Sequence, residues 1–202
     1  MKNLGATCWL NALIQCLRVC KEWDSSNNSE FHKLVRKDSD DTTRFLEKEL
    51  SEFRNEPSDS QEALLYILDK LNDKDFEGEV TQTVIYPDGK SITKEPCTVW
   101  FHQDKSDVIT DYTCSKGKTH NVAIVQRKLT RIPKILVSDI SQEKLDGKKL
   151  RALVVWGLGH YVAFVRKGDQ WWYLNDDASP SRVDIPNIQG KRPGLVSFFT
   201  DT

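Results

Sequence analysis

Leu10, Leu13, Ile14 and Leu17 recur at three- and four-residue steps, which predicts an amphipathic helix from Cys8 to about Val19 with Thr7 as its cap. The polar run Asp24-Ser-Ser-Asn-Asn-Ser-Glu30 ends it. Weaker helical segments are expected around 30–37 and 42–54, and Leu64, Leu65, Leu68 and Leu71 mark a second strong helix. After Phe76-Glu-Gly the period changes. β-Branched runs flank the turn signal Pro87-Asp88-Gly89 and predict a hairpin over 79–101. The stretches 120–129, 132–140, 151–158, 160–165 and 170–174 then read as strands broken by Gly, Pro and charged turns. Helices followed by antiparallel strands make an α+β chain.

At 202 residues, with 38% apolar and 29% charged positions, the chain is long enough for one domain with a sizeable core. The net charge of −1, with both signs interspersed, gives no field that favours nucleic acid or an anionic membrane. The short basic run Lys148, Lys149, Arg151 reads as a solvated loop edge. No apolar run approaches the roughly 18 residues that span a bilayer, and the N-terminus lacks the pattern of a signal peptide. Five cysteines, an odd count with no Cys-x-x-Cys, point to an intracellular protein, cytoplasmic or nuclear, with free thiols. Cys16 and Cys20 share a helical face but have no evident partner pair for zinc.

Cys8 stands where a turn hands over to a helix. Unsatisfied backbone N–H groups and the helix dipole favour thiolate there, although free cysteine is also among the most buried residue types. The far end of the chain shifts the weighing towards a nucleophile. His160 opens one strand and Asn175 closes the next, with a turn centred on Lys167 and Gly168, so antiparallel pairing sets them opposite each other on one face. An amide oxygen so placed can orient an imidazole. Asp176 competes for that role, but strand alternation turns it to the other face unless a bulge intervenes. Cysteine early on a helix, then histidine and asparagine late on paired strands, is the order of a papain-like cysteine hydrolase. His32, His102 and His120 lack comparable partners and read as surface or hairpin residues.

Three separated motifs, "NLGATCWLNALIQCL", "SDSQEALLYILDKL" and "GHYVAFV…WWYLND", make the chain resemble the ubiquitin-specific protease family of deubiquitinases, from Asn3 to about Val183. The resemblance implies a papain-like fold of helical thumb (about 1–75), reduced hairpin fingers (76–101) and antiparallel palm (102–202) in a single catalytic domain. It implies hydrolysis of peptide or isopeptide bonds after the terminal glycine of ubiquitin, by a monomer acting on ubiquitin and ubiquitinated proteins.

Residue by residue, it implies an oxyanion donor at Asn3, five positions before Cys8; a turn asparagine bonding its own backbone is the alternative. Asp59 and Glu62 match positions that bind the ubiquitin tail, and they also form a capping box for the second helix. Gly159 and Tyr161 flank the base and resemble cleft residues, and Gln15 reads as a scaffold hydrogen bond. Departures include Ala6 and Trp9 beside the nucleophile, and Ser58 and Ala63 in the second motif. Only Cys97 falls near the fingers, so neither zinc nor any other cofactor is expected. The chain starts almost on the first motif, which is expected of a minimal or trimmed catalytic domain. A non-catalytic ubiquitin-binding module and a protease for another ubiquitin-like modifier are the rival readings.

Overall fold

A computed structural model describes residues 7–21, 23, 30–36, 42–53, 59–71, 73–101, 106–184, 190–191 and 195–201. The helices come first. They are α1 (Cys8–Leu17), α2 (Glu30–Arg36), α3 (Thr42–Glu49) and α4 (Ser60–Leu71), with single 3₁₀ turns at Ser51–Phe53 and Lys74–Phe76. Almost every residue of α1 is buried, so it is a central helix and not a surface one. Thr7 occupies its cap position without giving the helix a side-chain capping bond.

The strands follow as β1 (Gly78–Tyr86), β2 (Gly89–Cys97), β3 (Asp107–Thr113), β4 (Thr119–Arg131), β5 (Leu136–Ser138), β6 (Ile140–Ser141) and β7 (Lys144–Leu145). The chain continues with β8 (Lys148–Gly157), β9 (His160–Lys167), β10 (Gln170–Leu174), β11 (Ser181–Val183), β12 (Gly190–Lys191) and β13 (Val196–Thr200). Among the described residues, one antiparallel sheet has the order β2-β1-β4-β3, and a seven-stranded sheet runs β11-β10-β9-β8-β13-β5 with β7 on β8. The expected hairpin is therefore only half of a four-stranded sheet. β4 pairs with β1 through its second half, Ile124 to Arg131, and with β3 through its first.

The larger sheet is covered on both faces by alternating side chains. Ala152, Val154, Ala163, Val165, Val196 and Phe198 pack with α1 and α4. Leu150, Leu153, Trp171 and Phe199 pack on the other side with Val80, Trp100 and Leu136. Strand β13 lies inside this sheet, between β8 and β5, although no strand is expected there from the sequence. Lys148, Lys149 and Arg151 are likewise not a loop edge. They belong to β8, where Lys148 is buried and its Nζ lies 2.9 Å from Asp201 Oδ1.

Of the histidines read as surface or hairpin residues, His120 lies on the β3–β4 hairpin, but it and His32 are both buried. His120 is buried with its ring stacked on Tyr86 at 4.5 Å. His32 is fully buried against the Trp23 ring, its Nε2 3.4 Å from Asp73 Oδ2. His102 lies outside the described residues. Trp23 Nε1 also donates to Asp73 Oδ2 at 2.6 Å, and the Asp75 amide donates to Asp73 Oδ1 at 3.0 Å, capping the second 3₁₀ turn. Burial pushes the Asp73 carboxyl up, but the hydrogen bonds from His32, Trp23 and the Asp75 amide outweigh it and hold it below the usual range.

A carboxyl depressed in the folded state stabilises the fold above its unfolded pKa, about 3.9, and that contribution is lost as pH falls through the folded value. Thermal melting should therefore decline more steeply below about pH 4 for the wild type than for Asp73→Asn. The variant should also be weaker at neutral pH by about 1–3 kcal/mol, from the buried donors left without an ionised acceptor. Parallel melting profiles for the two proteins would contradict this assignment.

Candidate active site

Cys8 is the first residue of α1 and is buried. The start of α1 packs near Tyr161 of β9, close enough for Cys8 to act electrostatically on the phenol. Tyr161 is itself buried, and its hydroxyl accepts from the Ser60 backbone N–H at 3.4 Å, at the start of α4. Burial raises the phenol above its ordinary value, the hydrogen bond with Ser60 works against that, and the nearby Asp59 carboxylate adds to it.

His160 opens β9, and its Nε2 lies 2.7 Å from Asn175 Oδ1. The register differs from the expected one by two residues. Gln170 pairs with Lys167 and Leu174 with Ala163, so Gly168 and Asp169 form the turn. Gly168 at φ +61° takes the first central position, as a type II′ hairpin requires. A shift of two keeps every side chain on its face, so His160 and Asn175 meet diagonally instead of directly. Asn175 Nδ2 donates to Tyr173 Oη at 3.3 Å, which turns Oδ1 towards the imidazole. Because an amide oxygen only accepts, Nε2 carries a hydrogen, which leaves Nδ1 as the ring nitrogen available to exchange a proton.

Asp176 does not follow strand alternation, since β10 ends at Leu174 and Asp176 adopts φ +46°. Its Oδ2 comes to 3.7 Å from His160 Nε2, while Oδ1 accepts from Asn11 Nδ2 at 2.7 Å. Gln15 Nε2 donates to the Asp176 carbonyl at 3.1 Å, a scaffold bond to the same residue. Asn11 lies one helical turn beyond Cys8. One carboxylate thus bridges the imidazole to the helix that carries the thiol. Asn11 was not singled out in the sequence, although its three-residue spacing from Cys8 places both on one face.

Asp59 and Glu62 are exposed. Asp59 Oδ1 accepts from the Gln61 and Glu62 backbone N–H groups at 2.7 and 3.3 Å, so it caps α4. Gly159 sits with Leu158 in the two-residue turn between β8 and β9, at φ +76° and +53° respectively. An added Cβ at Gly159 would meet nothing within 4 Å, so the turn's left-handed backbone is what favours glycine there. Leu158 is fully exposed at this tip, directly before the histidine motif. Asn3, the expected oxyanion donor, lies outside the described residues.

Comparison with solved structures finds the same fold. A chain of the SAGA Ubp8/Sgf11/Sus1/Sgf73 DUB module bound to ubiquitin aldehyde matches with a TM-score of 0.69 at 16% identity, over 99% of this chain and 68% of that one. A chain of the SAGA DUB module bound to monoubiquitin matches at 0.68 and 15% identity, over 98% and 68%. One from the yeast SAGA DUB module with a mutant Sgf73 matches at 0.68 and 16% identity, over 98% and 67%. No curated protein sequence matches significantly. The model of the family described as ubiquitin carboxyl-terminal hydrolase matches residues 1–156, which include Cys8 and both motifs of the helical part. With well over half its length matched, this chain belongs to the ubiquitin carboxyl-terminal hydrolase family and is a cysteine-type ubiquitin hydrolase.

Proposed function

We propose that Cys8 is the nucleophile, His160 its base and acid, and Asn175 the residue that orients the base. The supporting observation is the Nε2 to Oδ1 contact of 2.7 Å, which leaves Nδ1 as the proton acceptor on a ring tied through Asp176 to α1. Nδ1 takes the thiol proton, and the thiolate attacks the carbonyl of ubiquitin's terminal glycine. His160 then protonates the departing lysine amine, and water, deprotonated by the same imidazole, hydrolyses the thioester. Asn3 and the Cys8 backbone N–H are assigned to the oxyanion. Ubiquitin bearing a C-terminal fluorogenic amide should be turned over. A failure to cleave it, with cleavage of another modifier's amide, would move the substrate to that modifier.

Asp59, Glu62, Gly159 and Tyr161 are assigned to the path of the ubiquitin tail. Their support is the closeness of Tyr161 to Asp59, Ser60 and Cys8, and the exposure of both carboxylates. We assign α1 to α4 to the thumb, the four-stranded sheet to the fingers and the seven-stranded sheet to the palm. Five free cysteines support an intracellular site, cytoplasmic or nuclear. Among the described residues, no helix is long and apolar enough to cross a membrane. The similar solved chains belong to multi-subunit modules.

The two candidate orienting residues are separable. Asn175→Ala should lower kcat/KM by roughly 10- to 100-fold, the loss of about 1.5–3 kcal/mol from one hydrogen bond to a group that becomes charged. Asp176→Asn, which keeps an oxygen for Asn11, should cost less. The reverse order would make Asp176 the principal orienting residue.

A further inference from the structure

At the end of α1 away from Cys8, Arg18 and Lys21 meet Arg151 of β8 and Arg166 and Lys167 at the end of β9, around a hollow of about 440 Å³. These five cations come from three distant stretches of a chain whose net charge is −1. No carboxylate lines the hollow among the described residues. A solvated helix face or a local basic run does not explain such a convergence.

Neutral groups help to position the guanidiniums. Arg18 donates through Nε and Nη2 to the Val35 and Leu34 carbonyls at 3.0 and 2.8 Å. Arg151 Nε donates to Thr200 Oγ1 at 3.2 Å. Arg166 Nε donates to the Gly168 carbonyl at 3.2 Å, and its Nη2 to the fully exposed Asp169 carboxylate at 3.3 Å. Carbonyl and hydroxyl acceptors fix the direction of a guanidinium without themselves neutralising it, while the exposed Asp169 carboxylate partly offsets Arg166. Gathering like charges around a concave wall raises the local potential and favours an anion. Because these side chains are already held, less ordering cost opposes binding.

We propose that this hollow binds a compact, soluble polyphosphate. Three guanidinium forks with two flexible ammonium groups suit phosphate oxygens, which arginine takes bidentately and lysine as a point charge. The volume falls within the range of small-molecule sites, about 300–1,000 Å³. The five cations line one hollow, which suits a compact ligand better than an extended nucleic-acid strand. The hollow lies beyond the catalytic groups. Cys8 and Arg18 stand at opposite ends of α1, about 15 Å apart by helix rise, and His160 and Lys167 at opposite ends of β9. Binding can therefore be read without turnover, and its failure leaves the hydrolase reading untouched.

Inorganic triphosphate, titrated calorimetrically into the intact chain at low salt, should bind one to one and raise the melting temperature. Orthophosphate should bind far more weakly. Arg151→Gln with Arg166→Gln should weaken triphosphate by on the order of 100-fold. Lys21→Gln with Lys167→Gln, at two exposed side chains whose loss leaves packing intact, should weaken it by about ten-fold. Lys90→Gln, on the distant β2 edge strand, should change nothing. The absence of saturable binding, or binding indifferent to both pairs, would overturn the proposal. Tighter binding of a short oligothymidylate than of triphosphate would overturn it in favour of a nucleic-acid site.

Discussion

Replacing Cys8 with alanine is expected to remove hydrolysis of a ubiquitin C-terminal amide while ubiquitin binding survives. The thiol is the first side chain of α1, and the thiolate is the form that attacks. Removal of the nucleophile from a triad costs on the order of 10⁶ in rate, because the base and orienting residue act only through it. The substitution deletes one sulfur from a buried position, so the fold and the tail-binding surface should persist. Steady-state turnover and ubiquitin titration, run on both proteins, measure the two halves. Turnover that survived the change would remove Cys8 from the mechanism.

His160→Gln is expected to have the next largest effect. Glutamine keeps a polar head near Asn175 but cannot take a proton from a thiol or return one to an amine near neutral pH. General acid–base catalysis is commonly worth 10²–10⁴, so kcat/KM should fall by about that factor or more. The His160 side chain is 34% exposed, so the replacement opens no core cavity and the melting temperature should hardly move. A loss of only a few-fold, with the fold intact, would assign the proton transfer elsewhere.

The parts of the fold that were legible in the sequence are those with a clean period. α4 and β10 fall where Leu64, Leu65, Leu68 and Leu71 and the stretch Gln170–Leu174 put them. Strand β13 was not legible, because Val196–Thr200 is buried along its whole length, Ser197 and Thr200 included, so polar and apolar residues do not alternate between two faces. β3 was missed for a related reason. It is an exposed strand in the four-stranded sheet, and Asp111 within it takes φ +54°. The basic run at 148–151 was misread because charge was weighed without the strand that carries it: alternation buries Lys148 against Asp201 and leaves Lys149 exposed.

At the site, side-chain parity was legible and register was not. His160 and Asn175 share a face under either register, and what moved was the turn, set by glycine at the first position of a II′ loop. Asp176 was turned away on the assumption that the strand continues. The left-handed backbone at Asp176 brings it back, and the contact with Asn11 that holds it spans 165 residues of sequence. No local pattern carries such a contact.

The most direct test is reaction with ubiquitin whose C-terminal glycine is replaced by a thiol-reactive electrophile, read by intact mass. The wild-type chain should gain the mass of one ubiquitin, and Cys8→Ser should gain none. A wild-type chain that binds the probe but forms no adduct, or an adduct that persists in Cys8→Ser, would contradict the account.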